Sequence, residues 1–177
     1  MLNKKLIATA VAASALSGMA MANDLPFVEH PAGEPVEMNG MEIAAVYLKP
    51  VTMEPQGMMR AASKSDVHLE ADIHALAGNK NGFGAGEWIP YLTINYTLKN
   101  VDTGKVQEGT FMPMVAADGP HYGTNINMLG VGNYELTFHI DPPSKAGLMR
   151  HTDEETGVGR WFKPFDAQYK FKYVGIK

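Results

Sequence analysis

Several segments of this chain alternate apolar and polar residues with a period of two. From Val67 to Leu76, the residues Val67, Leu69, Ala71, Ile73 and Ala75 fall on one face, and His68, Glu70, Asp72 and His74 on the other. Successive side chains of an extended strand point to opposite faces, so this pattern predicts a half-buried strand. Tyr91 to Lys99 repeats it with Leu92, Ile94, Tyr96 and Leu98 inward, and Tyr134, Leu136, Phe138 and Ile140 form another inward set. Tyr169, Phe171 and Tyr173 alternate near the C-terminus. An apolar run over Met41 to Leu48 ends at Pro50. Asp102-Thr103-Gly104 turns the chain, and Val106 to Val115 is expected to return as one hairpin partner. Gly78 to Gly86 reads as loop, and the proline-bearing stretch Asn23 to Glu37 as an irregular arm. No long amphipathic helix is evident. The expected fold is therefore all-β, an immunoglobulin-like antiparallel β-sandwich, with an up-and-down barrel as the alternative.

The N-terminus has a different character. Lys4 and Lys5 precede an apolar run from Leu6 to about Leu16, and Ala20-Met21-Ala22 follows in the small-x-small pattern cut by signal peptidase. The run is shorter than the roughly 20 residues that a membrane-spanning helix needs. Residues 1–22 are expected to be a cleaved signal peptide and 23–177 a single exported domain, placed in the periplasm.

Composition narrows the chemistry. There is no cysteine among 177 residues, which excludes disulfides, thiolate metal sites and thiol nucleophiles. Fifteen Lys and Arg against 19 Asp and Glu give a net charge of −4, and loss of Lys4 and Lys5 takes it to −6. Such a chain has no general attraction for nucleic acid or anionic lipid. No nucleophile elbow or phosphate-binding loop is present, and the His68-x-Glu70 pair lacks the cysteines of a zinc deaminase. The chain is not expected to be an enzyme. Any metal must be held by His, Met, Asp or Glu.

Four places carry such ligands. His68 and Glu70 stand two apart on one strand, so they share a face and can converge on one ion; two polar residues on a solvated face are the ordinary account. Met112 and Met114 flank Pro113, which puts them at an edge or bend. Methionines commonly fill cores, yet the thioether is also a soft ligand for copper. His121 lies in Gly119-Pro120-His121-Tyr122-Gly123, read as a loop, and His151 in a polar loop followed by Asp153, Glu154 and Glu155. His30, His74 and His139 are placed at the surface or behind the ligands.

These motifs, with Trp161-Phe162-Lys163-Pro164-Phe165, occur together in an order that closely resembles one family, the periplasmic Fe²⁺-transport proteins that partner bacterial iron permeases. The resemblance runs from about Val36 to Lys177. It implies a homodimer with a copper site near the dimer interface, whose ligands would be His68, Met114, His121 and His151 with Glu70 beside them. It also implies support of iron uptake through an inner-membrane iron permease. Three imidazoles and a thioether suit Cu(I) and Cu(II), while the carboxylate adds the hard oxygen that iron or manganese prefers. A periplasmic copper chaperone, or a protein that oxidises Fe(II) with its copper, is the alternative; a metal-free structural sandwich is the plainest.

Overall fold

The structure is a computed structural model, and it describes residues 27–176. The expected signal peptide lies outside the described residues. Among the described residues, ten strands make two antiparallel sheets, with short 3-10 turns at Ala62–Lys64 and Pro143–Ala146. The larger sheet holds β1 (His30–Pro31), β3 (Met41–Leu48), β4 (Val67–Ala75), β8 (Gly119–Ile126) and β7 (Met112–Ala116) in that order, with β2 (Val36–Met38) also on β3. The smaller runs β10 (Phe165–Tyr173), β9 (Gly132–Asp141), β5 (Thr93–Asn100), β6 (Val106–Thr110). The expected all-β, immunoglobulin-like sandwich is what forms. Among the described residues, no helix is long and apolar enough to cross a membrane.

The alternating residues build the core as their period requires. Val67, Leu69, Ala71 and Ile73 of β4 are buried in one cluster with Ile94, Tyr96 and Leu98 of β5 and Leu136, Phe138 and Ile140 of β9. Each Val, Leu, Ile or Phe side chain among them contributes about 1.5–3 kcal/mol on leaving water. The Tyr169 hydroxyl on β10 donates to the carbonyl of Ile43 on β3 at 2.9 Å, joining the two sheets through the core.

Three segments depart from the sequence reading. Val106 to Val115 is not one hairpin strand: β6 pairs with β5, while β7 pairs with β8 in the other sheet. The switch occurs at Phe111, whose N–H donates to Ile94 at 2.9 Å. Its ring stacks on Tyr96 at 5.1 Å and stands edge-on to Phe138 at 5.2 Å. Anchored by this aromatic against β5 and β9, the chain leaves one sheet for the other. The second departure is Gly119–Ile126, a strand rather than a loop, so His121 is a strand residue. Glycine and proline punctuation misled here, because β8 lies between β4 and the edge strand β7 and is held by pairing on both sides. Third, the arm from Asn23 is not irregular throughout, since β1 and β2 both pair with β3.

Candidate metal centre

The polar face of β4 turns away from the core, yet its first two residues, His68 and Glu70, are not solvated. His68 is fully buried, and Glu70 and His121 are 4% and 5% exposed. Its cover is the segment between β3 and β4, pinned by Asn125 on β8. The Asn125 carboxamide donates from Nδ2 to the carbonyls of Val51 at 2.8 Å and Arg60 at 2.9 Å, and its Oδ1 accepts from the Val51 N–H at 3.2 Å. Asn125 itself pairs with His68 across the β4–β8 ladder. The ordinary account of His68 and Glu70, two polar groups on a wet strand, is therefore replaced by burial under a loop.

Asn125 also determines which nitrogen of His68 is free. With both Nδ2 hydrogens committed to carbonyls, Oδ1 faces the His68 Nδ1 at 2.9 Å and accepts its proton. That leaves Nε2 with the lone pair, the arrangement by which an outer hydrogen bond orients a metal-binding imidazole. Nε2 of His68 lies 3.4 Å from Glu70 Oε1, and Nε2 of His121 lies 3.2 Å from the same oxygen. Neither contact has hydrogen-bond geometry, so both nitrogens are buried without a partner. The rings stand nearly perpendicular, with centroids 5.9 Å apart. Among the described residues, His68, Glu70 and His121 form the group whose ligand atoms all lie within 4.8 Å of one another.

Backbone space is arranged for the same end. Gly123 faces Glu70 on one side and Met112 on the other, and a Cβ there would lie 2.6 Å from His68 Nε2. Only glycine leaves room for the ring. Met114 is the cross-strand partner of His121. It lines a cavity of about 810 Å³ that also reaches Glu70 and His121. β7, as Pro113 indicates, is the edge of its sheet.

Burial governs the charges. It pushes the Glu70 carboxyl up to about 9, with Asp72, Glu29 and Asp118 adding repulsion. Asp72 rises to about 7, first from burial and then from Glu29 and Asp118. Glu29 is raised by burial and by its hydrogen bond to Asp118. His68 falls to about 4, chiefly through burial, and His121 is lowered by the same cause. Near neutral pH these shifts favour neutral imidazoles beside a protonated Glu70 carboxyl when no cation is bound, with more carboxyl groups crowded near them. Two unpartnered nitrogens and a carboxylate oxygen that costs free energy to ionise fit a divalent or cuprous ion, which would supply the missing partner and the missing charge.

Of the five residues singled out in the sequence, the fold brings His68, Glu70 and His121 together and places Met114 on the same cavity. His151 stands apart in the protomer, in the turn before β10. Its side chain is 74% exposed, and its Nδ1 lies 2.7 Å from the Thr156 hydroxyl. His139 is occupied by Asp166 at 2.7 Å and Thr97 at 3.0 Å, and His30 stacks on Tyr47 at 5.2 Å. Sequence reasoning missed Asn125, Glu29 and Asp118. Asn125 stands four residues after His121, on the same face of a strand, and becomes visible once Gly119–Ile126 is read as extended.

Comparison with known proteins identifies the family. The model of the family described as Fe²⁺ transport protein matches residues 26–175. A UPF0423 protein of Brucella abortus (strain 2308) is 54% identical over 175 residues, covering 97% of this chain and 96% of its own. The 34 kDa membrane antigen of Treponema pallidum is 41% identical over 155 residues, 84% of this chain and 76% of that one. A solved structure of FetP from uropathogenic Escherichia coli strain F11, a copper-bound glutamate-to-glutamine variant, is 74% identical with a TM-score of 0.84, over 85% of this chain and 96% of that one. Copper-reconstituted P19 from Campylobacter jejuni is 63% identical with a TM-score of 0.84, over 85% and 99%.

Proposed function

The chain belongs to the Fe²⁺ transport protein family, and from that premise we propose that it is a periplasmic metal-binding protein that holds copper and handles iron for an uptake system. The observation that carries this reading is the pair of buried, unpartnered Nε2 atoms of His68 and His121 on either side of Glu70 Oε1. Copper would be held by these two imidazoles, the Met114 thioether and Glu70; imidazole and thioether donors suit its soft and borderline states. Similarity to copper-bound FetP and P19 supports the metal.

His151 completes the ligand set in a homodimer, donated by a second copy of the chain. Its exposure in the protomer and the open cavity beside Met114 support that arrangement. Ferrous ion is the cargo. Glu70, Glu29 and Asp118 offer the hard oxygens it prefers, and their mutual repulsion is relieved by a divalent cation. Manganese has the same ligand preference. The receiving protein is an inner-membrane iron permease, and this chain acts as carrier rather than catalyst, exported by residues 1–22. A copper-dependent Fe(II) oxidation remains the second reading, favoured by carboxylates lying next to the copper ligands. Each Fe(II) would then pass one electron to Cu(II), leaving Fe(III) and Cu(I).

Iron uptake by cells with and without the protein, under copper repletion and copper limitation, tests the proposal. Uptake should fall without the protein and fall again without copper. Equal uptake in all four conditions would refute it.

A further inference from the structure

We propose that Met53 is a second thioether ligand in the cavity, joining Met114 to hold copper in its Cu(I) state. This rests on the copper-binding reading. The cavity that reaches Glu70 and His121 is lined by Met114 of β7 and by Met53 of the segment between β3 and β4. Two methionines thus line one cavity together with His121, whose buried Nε2 lacks a partner.

Met53 is held there by construction. Two residues before it, Val51 is bonded through both its N–H and its carbonyl to Asn125, and Arg60 closes the other end of the loop on the same carboxamide. Asn125 in turn holds His68. One side chain therefore anchors a copper-facing imidazole and the base of the segment that carries Met53. Two soft sulfur donors with an imidazole form a set that prefers Cu(I) over Cu(II), whereas Glu70 and two imidazoles lean toward Cu(II). The protein would then retain copper through a change of oxidation state by shifting it between these two donor sets. Met58, in the same loop but 59% exposed and not lining the cavity, is the internal control.

The test is anaerobic competition for Cu(I) against bicinchoninate, with Cu(II) affinity measured in parallel, on the full-length mature protein and its Met53→Leu, Met58→Leu and Met114→Leu variants. Leucine nearly preserves volume, so packing is little disturbed. Met53→Leu should weaken Cu(I) binding by about tenfold while changing Cu(II) binding much less, and Met58→Leu should change neither. Cu(I) binding by Met53→Leu equal to that of the unmodified protein would overturn the inference, as would an equal loss of both oxidation states. X-ray absorption of the unmodified Cu(I)-loaded protein gives an independent answer: two sulfur scatterers support the assignment and a single one refutes it. Failure of the unmodified protein to bind either oxidation state would instead refute the copper-binding reading itself.

Discussion

Asn125 Oδ1 accepts from His68 Nδ1 at 2.9 Å, and this one hydrogen bond presents the opposite ring nitrogen to the centre. The same carboxamide ties down Val51 and Arg60, so ligand orientation and loop closure depend on a single buried side chain. Asn125→Ala should therefore reduce copper affinity by about 10–100-fold, the usual cost of losing an outer-sphere partner. It should also destabilise the fold by about 1–3 kcal/mol through the backbone groups left unsatisfied. Copper titration and urea unfolding measure the two effects; unchanged affinity would mean that His68 needs no such support.

Gly123→Ala tests the space reserved for the ring. The added methyl would lie 2.6 Å from His68 Nε2 and 3.1 Å from the Leu69 carbonyl, so the imidazole must move. Copper affinity should drop sharply while far-UV circular dichroism stays that of a β-sandwich. Overpacking of this size costs about 1–3 kcal/mol. Wild-type copper binding in this variant would show that His68 is not confined as described.

The raised carboxyls make the metal-free protein sensitive to base. Glu70, at about 9, and Asp72, at about 7, both lie above their ordinary values, so the folded state holds protons that the unfolded chain has released. Stability contributed by these groups is full below about pH 4, where the unfolded carboxyls also hold their protons, and is lost progressively as pH rises, up to about 7 for Asp72 and about 9 for Glu70. His68, lowered to about 4, acts in the opposite sense, but only below about pH 6.5. Chelator-stripped protein should thus lose thermal stability between pH 7 and 9. Copper should restore it, most strongly at the alkaline end, where the cation replaces the proton. Stability of the stripped protein that rises over that interval would contradict the charge assignment.

How much of this was legible in the sequence follows from what alternation reports. The period-two pattern of β4, β5 and β9 identified strands and the faces they bury, because the core side is apolar at each step. It could not show that the His68 and Glu70 end of the other face of β4 is also covered, since a buried polar face and a wet one read alike. His68 and Glu70 were therefore visible as a pair but not as a buried pair. The sheet switch at Phe111 was hidden because β6 and β7 are separated by a single residue and together read as one strand. The partnership of Asn125 with residues 74 and 65 positions away leaves no local signature at all. Glu29 and Asp118 meet only after β1 has paired with β3, which the prolines of that arm obscured.

His151 offers a test of assembly. It is exposed and makes only local contacts in the protomer, so His151→Ala should alter stability by less than about 0.5 kcal/mol. Copper affinity should nevertheless fall, and the loss should grow with protein concentration as dimers form. Titrations at several concentrations, alongside light scattering, check this. Equal copper affinity in variant and parent at concentrations where the protein is dimeric would remove His151 from the ligand set.

The central claim is that His68, Glu70 and His121 form the copper centre. Copper content after loading and exhaustive dialysis, read with electron paramagnetic resonance of Cu(II), tests it most directly in the parent protein and in His68→Ala, His121→Ala and His74→Ala. The parent and His74→Ala should each retain about one copper per chain with nitrogen hyperfine structure, and the other two variants should retain far less. Full copper retention by His121→Ala, or its loss from His74→Ala, would contradict the account.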